Sequence, residues 1–208
     1  MYRLNRVVFV VFFTLIVAGI MPQAAIAVSE SPSSIEQTFQ KAKQDYLDKN
    51  LAAAAEQIRK GSAYMKAEAE KASVTGKEAL AASARELNKL ADDVKKGTVT
   101  SVKRIEESFA RAYQALAADS HTKSMEAWTR KEAAKTGAAL DSATNNLEKG
   151  FAWAGQKADT GTKEVMKKSE DLSLKLKEKG SVMAEEVGKE LKDIGNEIEK
   201  FGKKISPK

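Results

Sequence analysis

The chain has no cysteine, one histidine (His121) and three prolines in 208 residues, and only 6% of it is aromatic. Without cysteine there is no disulfide framework, no thiolate metal site, no thiol nucleophile and no c-type haem attachment. One histidine cannot supply the paired Glu-x-x-His motifs of a di-iron bundle, nor the HExxH or three-histidine sets of zinc enzymes. The prolines are Pro22, Pro32 and Pro207, so residues 33–206 contain none. Proline removes a backbone donor and clashes with the preceding turn, so a long alanine- and charge-rich stretch without it favours helices. No G-x-S-x-G or S-x-x-K nucleophile setting occurs. No glycine-rich phosphate loop follows a strand, because no strand is predicted. These absences point to a helical, non-catalytic protein for which neither a cofactor nor a metal is expected.

The first feature present is an address. Arg3 and Arg6 precede an unbroken apolar run from Val7 to Met21, Pro22 breaks it, and Ala25-Ile26-Ala27 forms a small-x-small cleavage site. The run falls short of the roughly 20 residues that a membrane span needs. Residues 1–27 are therefore expected to be a secretory signal peptide, cleaved before Val28, with the periplasm as the expected location. An uncleaved anchor in the inner membrane is the alternative. No cysteine follows the site and no paired arginines precede it, which excludes lipoprotein and twin-arginine export. Beyond Arg3 and Arg6 the chain holds 33 basic residues against 29 acidic ones, interleaved as in Glu185-Glu186-Val187-Gly188-Lys189-Glu190. That is a solvated helix face with neighbouring ion pairs, not a basic patch set with aromatics, so nucleic acid is not an expected partner.

Residues 28–33 read as a disordered leader, and 34–158 as a helical-hairpin domain. Ser33 and Glu36 have the spacing of a capping box. Ile35, Phe39, Ala42, Tyr46 and Leu47 then keep helical spacing up to the breaker Asp48-Lys49-Asn50, after which Leu51, Ala55, Ile58 and Met65 resume it. Thr75 and Glu78 predict a second box ahead of Leu80, Leu87, Leu90 and Val94. Lys95-Lys96-Gly97 closes that helix, with bases at the negative end of the dipole and glycine in the left-handed cap. Thr98 is expected to cap a helix through Val102, Ile105, Phe109, Tyr113 and Leu116 to Trp128. After Thr129-Arg130-Lys131 the stripe runs on as Ala133, Leu140, Ala143, Leu147, Phe151 and Trp153, and Asp159-Thr160-Gly161-Thr162 reads as a linker. His121 and Met125 could share a helix face as metal or haem ligands. A packing histidine beside a methionine is the expected reading.

At an offset of 82, Tyr46 falls on Trp128, Lys49 on Lys131, Ile58 on Leu140 and Met65 on Leu147. At 83, Lys96-Gly97-Thr98-Val99 falls on Lys179-Gly180-Ser181-Val182. Duplication explains both matches, and so does chance alignment of two alanine-rich helical stretches. The segment from Tyr46 to Ile58, with its aromatic, polar turn and alanines, resembles the helix–turn–helix of tetratricopeptide repeats. The resemblance implies helix hairpins packed on small residues.

Residues 159–208 read as C-terminal amphipathic helices. From Leu172 the apolar residues Leu176, Met183, Val187, Leu191, Ile194, Ile198, Phe201 and Ile205, with Gly180 included, follow steps of three and four, which predicts one nearly straight helix. Gly188, Gly195 and Gly202 recur every seven residues beside that stripe. Each costs a helix about 0.8–1 kcal/mol relative to alanine, which close helix contact can offset. Val187, Leu191, Ile194, Gly195, Ile198, Phe201, Gly202 and Ile205 form the candidate interaction stripe. The fold class expected is all-α: antiparallel hairpins or a bundle, with a long C-terminal amphipathic segment. The function expected is protein interaction, scaffolding or envelope-stress protection, through a protein partner or self-association. Binding of a lipid surface by the C-terminal helix is the alternative.

Overall fold

The computed structural model describes residues 32–178 and 182–206. The expected signal peptide, nearly all of the expected leader and the Lys179-Gly180-Ser181 match lie outside them. Seven helices follow in order: α1 (Pro32–Leu47), α2 (Leu51–Glu70), α3 (Gly76–Lys95), α4 (Val102–Thr129), α5 (Ala133–Trp153), α6 (Thr160–Lys177) and α7 (Ala184–Ile205). The described residues contain no strand. The fold is all-α, as expected.

Two lysines set the plan. Lys49 and Lys131 have φ of 64° and 60° and are the non-glycine residues with positive φ among those described. At the first turn the Lys49 N–H donates to Tyr46 O (3.1 Å) and the Asn50 N–H to Asp45 O (2.8 Å). At the second, Lys131 donates to Trp128 O (2.8 Å) and Glu132 to Ala127 O (2.9 Å). These are the same left-handed helix stop, placed 82 residues apart. The fold repeats itself at that offset elsewhere too. α2 and α5 begin at Leu51 and Ala133, α3 and α6 end at Lys95 and Lys177, and α4 and α7 begin at Val102 and Ala184. Burial repeats as well: Ala54, Ala55, Ile58, Ser62, Met65 and Ala69 are buried on α2, and Thr136, Gly137, Leu140, Thr144, Leu147 and Phe151 on α5.

Consecutive helices pack on one another, α1 closes onto α4, and α7 closes onto α4. The result is two four-helix units, α1–α4 and α4–α7, that share α4. The shared helix is the longest because it must serve both. Its small buried residues Ala110, Ala112, Ala115 and Ala117 allow neighbours on several sides. Arg111 ties the units together. Its guanidinium bonds Glu86 of α3 through Nε (2.8 Å) and donates from Nη1 to Ile205 O (3.2 Å), at the negative end of α7.

Two predicted caps are corrected. Thr75 makes no side-chain cap bond. Ser73 caps α3 instead, its Oγ accepting from Gly76 N–H (3.0 Å) while donating to the buried Asp119 Oδ1 (2.8 Å). The Thr98 hydroxyl donates to Asp93 O at the end of α3, and Ser101 caps α4 by accepting from Lys103 N–H (3.2 Å). Glu36 has a further role: its Oε2 accepts from Tyr113 and Trp153, and its Oε1 from Gln40, while its expected capping partner Ser33 lies outside the residues whose side chains are described. The expected linker at 159–162 is also displaced. Asp159 caps α6, accepting from Thr162 N–H (2.9 Å), so the loop lies just before it. The closing device at Gly97 (φ 70°) stands as expected.

The single straight C-terminal helix is likewise corrected. Its stripe divides between α6 and α7, and Met183, predicted on the apolar side, is 72% exposed before α7 begins.

Candidate interaction site

The apolar side of α7 faces the rest of the chain. Val187, Leu191, Ile194, Ile198, Phe201 and Ile205 are all buried, with Phe201 against Phe151 of α5 at 4.3 Å between ring centroids. The glycines beside the stripe differ. A Cβ at Gly195 would lie 2.7 Å from the His121 ring, and one at Gly202 would lie 2.9 Å from the Gln114 amide. Both mark close contact with α4. At Gly188 a Cβ would meet nothing within 4 Å, so this third glycine does not mark a close crossing.

His121 explains Gly195. Its Nε2 lies 2.7 Å from Leu191 O, a carbonyl inside α7, and the imidazole reaches it only because residue 195 has no side chain. The contact requires the tautomer protonated at Nε2. Burial of the ring pushes its pKa below the ordinary histidine value, partly offset by that hydrogen bond. Met125, one turn on, is half exposed. The histidine therefore acts as a strut between helices. Among the described residues no group of three or more His, Asp or Glu side chains is arranged to hold a metal ion.

Two polar clusters tie α4 to distant parts of the chain, and sequence spacing pointed to neither. In the first unit the Glu36 carboxylate, on α1, receives the Tyr113 hydroxyl of α4 (2.5 Å) and the Trp153 indole N–H of α5 (3.2 Å). Burial and the adjoining Glu36 carboxylate push the Tyr113 phenol far above its ordinary value. Around it Phe39 stacks on Phe109 at 4.0 Å, and Trp153 meets both edge-on at 6.2 and 5.0 Å. In the second cluster Asp119 Oδ1 accepts from Ser73 N–H and Oγ, both at 2.8 Å, while Oδ2 pairs with Lys123 at 2.6 Å. A carboxylate so surrounded fixes the α2–α3 loop against α4.

Several surfaces open beside α4, and two of them lie along its second half. One is a cleft of about 700 Å³ with α4 as its floor (Leu116, Asp119, Ser120, Lys123), α2 as one wall (Tyr64, Glu68) and α5 as the other (Ala138, Ser142, Asn145, Asn146, Lys149). The Lys149 ammonium sits 5.6 Å from the Tyr113 ring and has no carboxylate partner among the described residues. The other is a groove of about 450 Å³ between the second half of α4 and the first half of α7, where Met125, Trp128 and Gly188 come to the surface. No described helix is long and apolar enough to cross a membrane. No protein-family model, curated protein or solved structure matches the chain.

Proposed function

We propose that the chain is an exported, non-catalytic helical scaffold that holds a segment of another polypeptide in the cleft over α4. The observation that carries this reading is the chemistry of the α5 wall. Asn145 and Asn146 offer amide donors and acceptors, Ser142 a hydroxyl, and Ala138 and Ala139 little bulk, so a peptide backbone can come close and be hydrogen-bonded. Basic and acidic side chains alternate around the cleft, with Lys123, Lys135 and Lys149 against Glu68, Asp119 and Asp141. That mixture suits a polypeptide of mixed charge better than a polyanion. The tetratricopeptide-like segment at 46–58 supports the same reading, since it forms the α1–α2 turn of a hairpin packed on alanines. Location in the periplasm, and a part in envelope stress, belong to this proposal through the signal sequence.

The test is site-specific photocrosslinking in cells that export the protein. A benzophenone side chain at Ser142 or Asn145 should yield discrete protein adducts, whereas one at the exposed Lys167 of α6 should not. Adducts at both places alike, or lipid adducts alone, would refute the reading.

A further inference from the structure

The two units differ at one quasi-equivalent place. In the first unit the seam between α1 and α4 is covered by Trp153 of α5. Its indole donates to Glu36 Oε2 (3.2 Å), lies edge-on to Phe39 and Phe109, and has the Lys43 ammonium 5.8 Å from its centroid. An ion pair between Lys43 and Glu106 (2.6 Å) bridges the two helices beside it. Moving Glu36, Phe39, Lys43, Glu106 and Phe109 on by 82 residues gives Ala118, His121 and Met125 on α4, and Gly188 and Leu191 on α7. His121, Met125, Gly188 and Leu191 all line the 450 Å³ groove. The ion pair that bridges the first seam is thus replaced by a half-exposed methionine and an open glycine. No described helix lies over the second seam as α5 lies over the first.

We propose that this groove seats an aromatic side chain carried on a helix of another polypeptide, in the way that Trp153 on α5 fills the first seam. The lining suits a ring. The Met125 thioether makes favourable contact with a ring edge, Leu191 and Trp128 supply apolar area, and Gly188 lets a helix backbone approach. Ala118 stands where Glu36 receives the indole N–H, so the seat selects ring area rather than an N–H, and phenyl and indole rings are both accepted. Lys192, Asn196 and Glu199 of α7 form a polar rim of mixed charge, matched to the outer face of an amphipathic helix. This surface is separate from the cleft over α4, and its test reads out independently of that reading.

The experiment uses the purified protein carrying ¹³C-methyl methionine. Indole at millimolar concentration should move the Met125 methyl signal upfield and saturably, leaving those of Met65, Met166 and Met183 in place. A peptide of residues 133–153, the natural occupant of the first seam, should move it at concentrations at least tenfold below those needed by its Trp153→Ala form. Gly188→Leu fills open space, so it should fold normally and abolish the shift. No Met125 shift with indole, or binding that survives Gly188→Leu, overturns the proposal. So does an equal Met125 shift from phosphatidylglycerol vesicles, which assigns the groove to lipid. A signal that moves with protein concentration alone also overturns it, by assigning the groove to a second copy of the chain.

Discussion

The two units sharing α4 are built on one plan but closed by different chemistry. The first is sealed by aromatic rings, with Phe39, Phe109 and Trp153 in mutual contact, Tyr113 edge-on to Phe39, and the polar atoms of Tyr113 and Trp153 gathered on Glu36. The second is sealed by approach distance. Gly195 and Gly202 let α7 come close enough to α4 for a histidine to reach a backbone carbonyl. Aromatic packing supplies large buried area and specific geometry. Glycine-mediated packing supplies short contacts while weakening the helix that carries them. The same topology can therefore be held rigidly in one half and more lightly in the other, and the lighter half is where the groove opens.

The largest effects should test whether the units are equivalent at all. Ile58 and Leu140 lie 82 residues apart, and both are completely buried. Ile58→Asp and Leu140→Asp should each destabilise the protein by about 4 kcal/mol or more, through lost packing and an unpaired buried charge. Urea unfolding measures both. If either variant unfolds like the parent, that helix does not serve the core in the way its counterpart does.

The seams should differ in the next test. Phe39→Ala removes a stacked core ring and should lower stability by about 3–5 kcal/mol. His121→Ala removes one hydrogen bond and part of a half-buried ring, for about 1–2 kcal/mol. Equal losses in denaturant titrations would mean that the second seam is as tightly held as the first.

Within α7, the glycines should give opposite signs. Gly195→Leu forces a side chain into the His121 imidazole and should cost about 1–3 kcal/mol. Gly188→Ala meets open space and should gain about 0.8–1 kcal/mol from helix propensity. Thermal melts decide both, and a rise for Gly195→Leu would show that α7 is not docked on α4.

The smallest effect is a pH dependence. The His121 pKa is depressed in the folded state, so the unfolded chain binds the proton more readily. Its contribution to stability is complete above the ordinary histidine value of about 6.5 and is lost as pH falls through the lower folded value. Acidification from pH 7 to 5 should therefore lower the melting temperature of the parent more than that of His121→Gln. Identical slopes would remove the histidine from the account.

The amount legible in the sequence varied with how local the cause was. The stops at Asp48-Lys49-Asn50, Lys95-Lys96-Gly97 and Thr129-Arg130-Lys131 depend on a few adjacent residues, and all three lie where the sequence put them. The apolar stripes of α2, α3 and α5 also read correctly, because burial follows helical period. The caps did not. Ser73 and Thr75, or Thr98 and Ser101, are rival hydroxyls a few residues apart, and the choice at α3 is fixed by Asp119, far away in sequence. Glu36 had the spacing of a capping residue but is held by Tyr113 and Trp153. The candidate stripe on α7 was correctly read as apolar, but only the partner helix reveals that its surface is already occupied. The offset of 82 was visible as a handful of matches. It became decisive only when helix ends and left-handed lysines recurred at the same spacing.

Sharing α4 also imposes a direction on assembly. A polypeptide made from its amino end has all of α1–α4 by Thr129, before any of α5–α7 exists. The earlier half can then gather its four helices and present the free side of α4 as a ready template, its α1–α4 seam being covered by Trp153 when α5 follows. The later half has no such option, since a fragment beginning after Thr129 lacks one of its own four helices. Limited proteolysis between α5 and α6 should accordingly leave an amino-terminal fragment that still folds, while the carboxy-terminal one is degraded. The molecule is an ordered pair in which the second bundle condenses on the first.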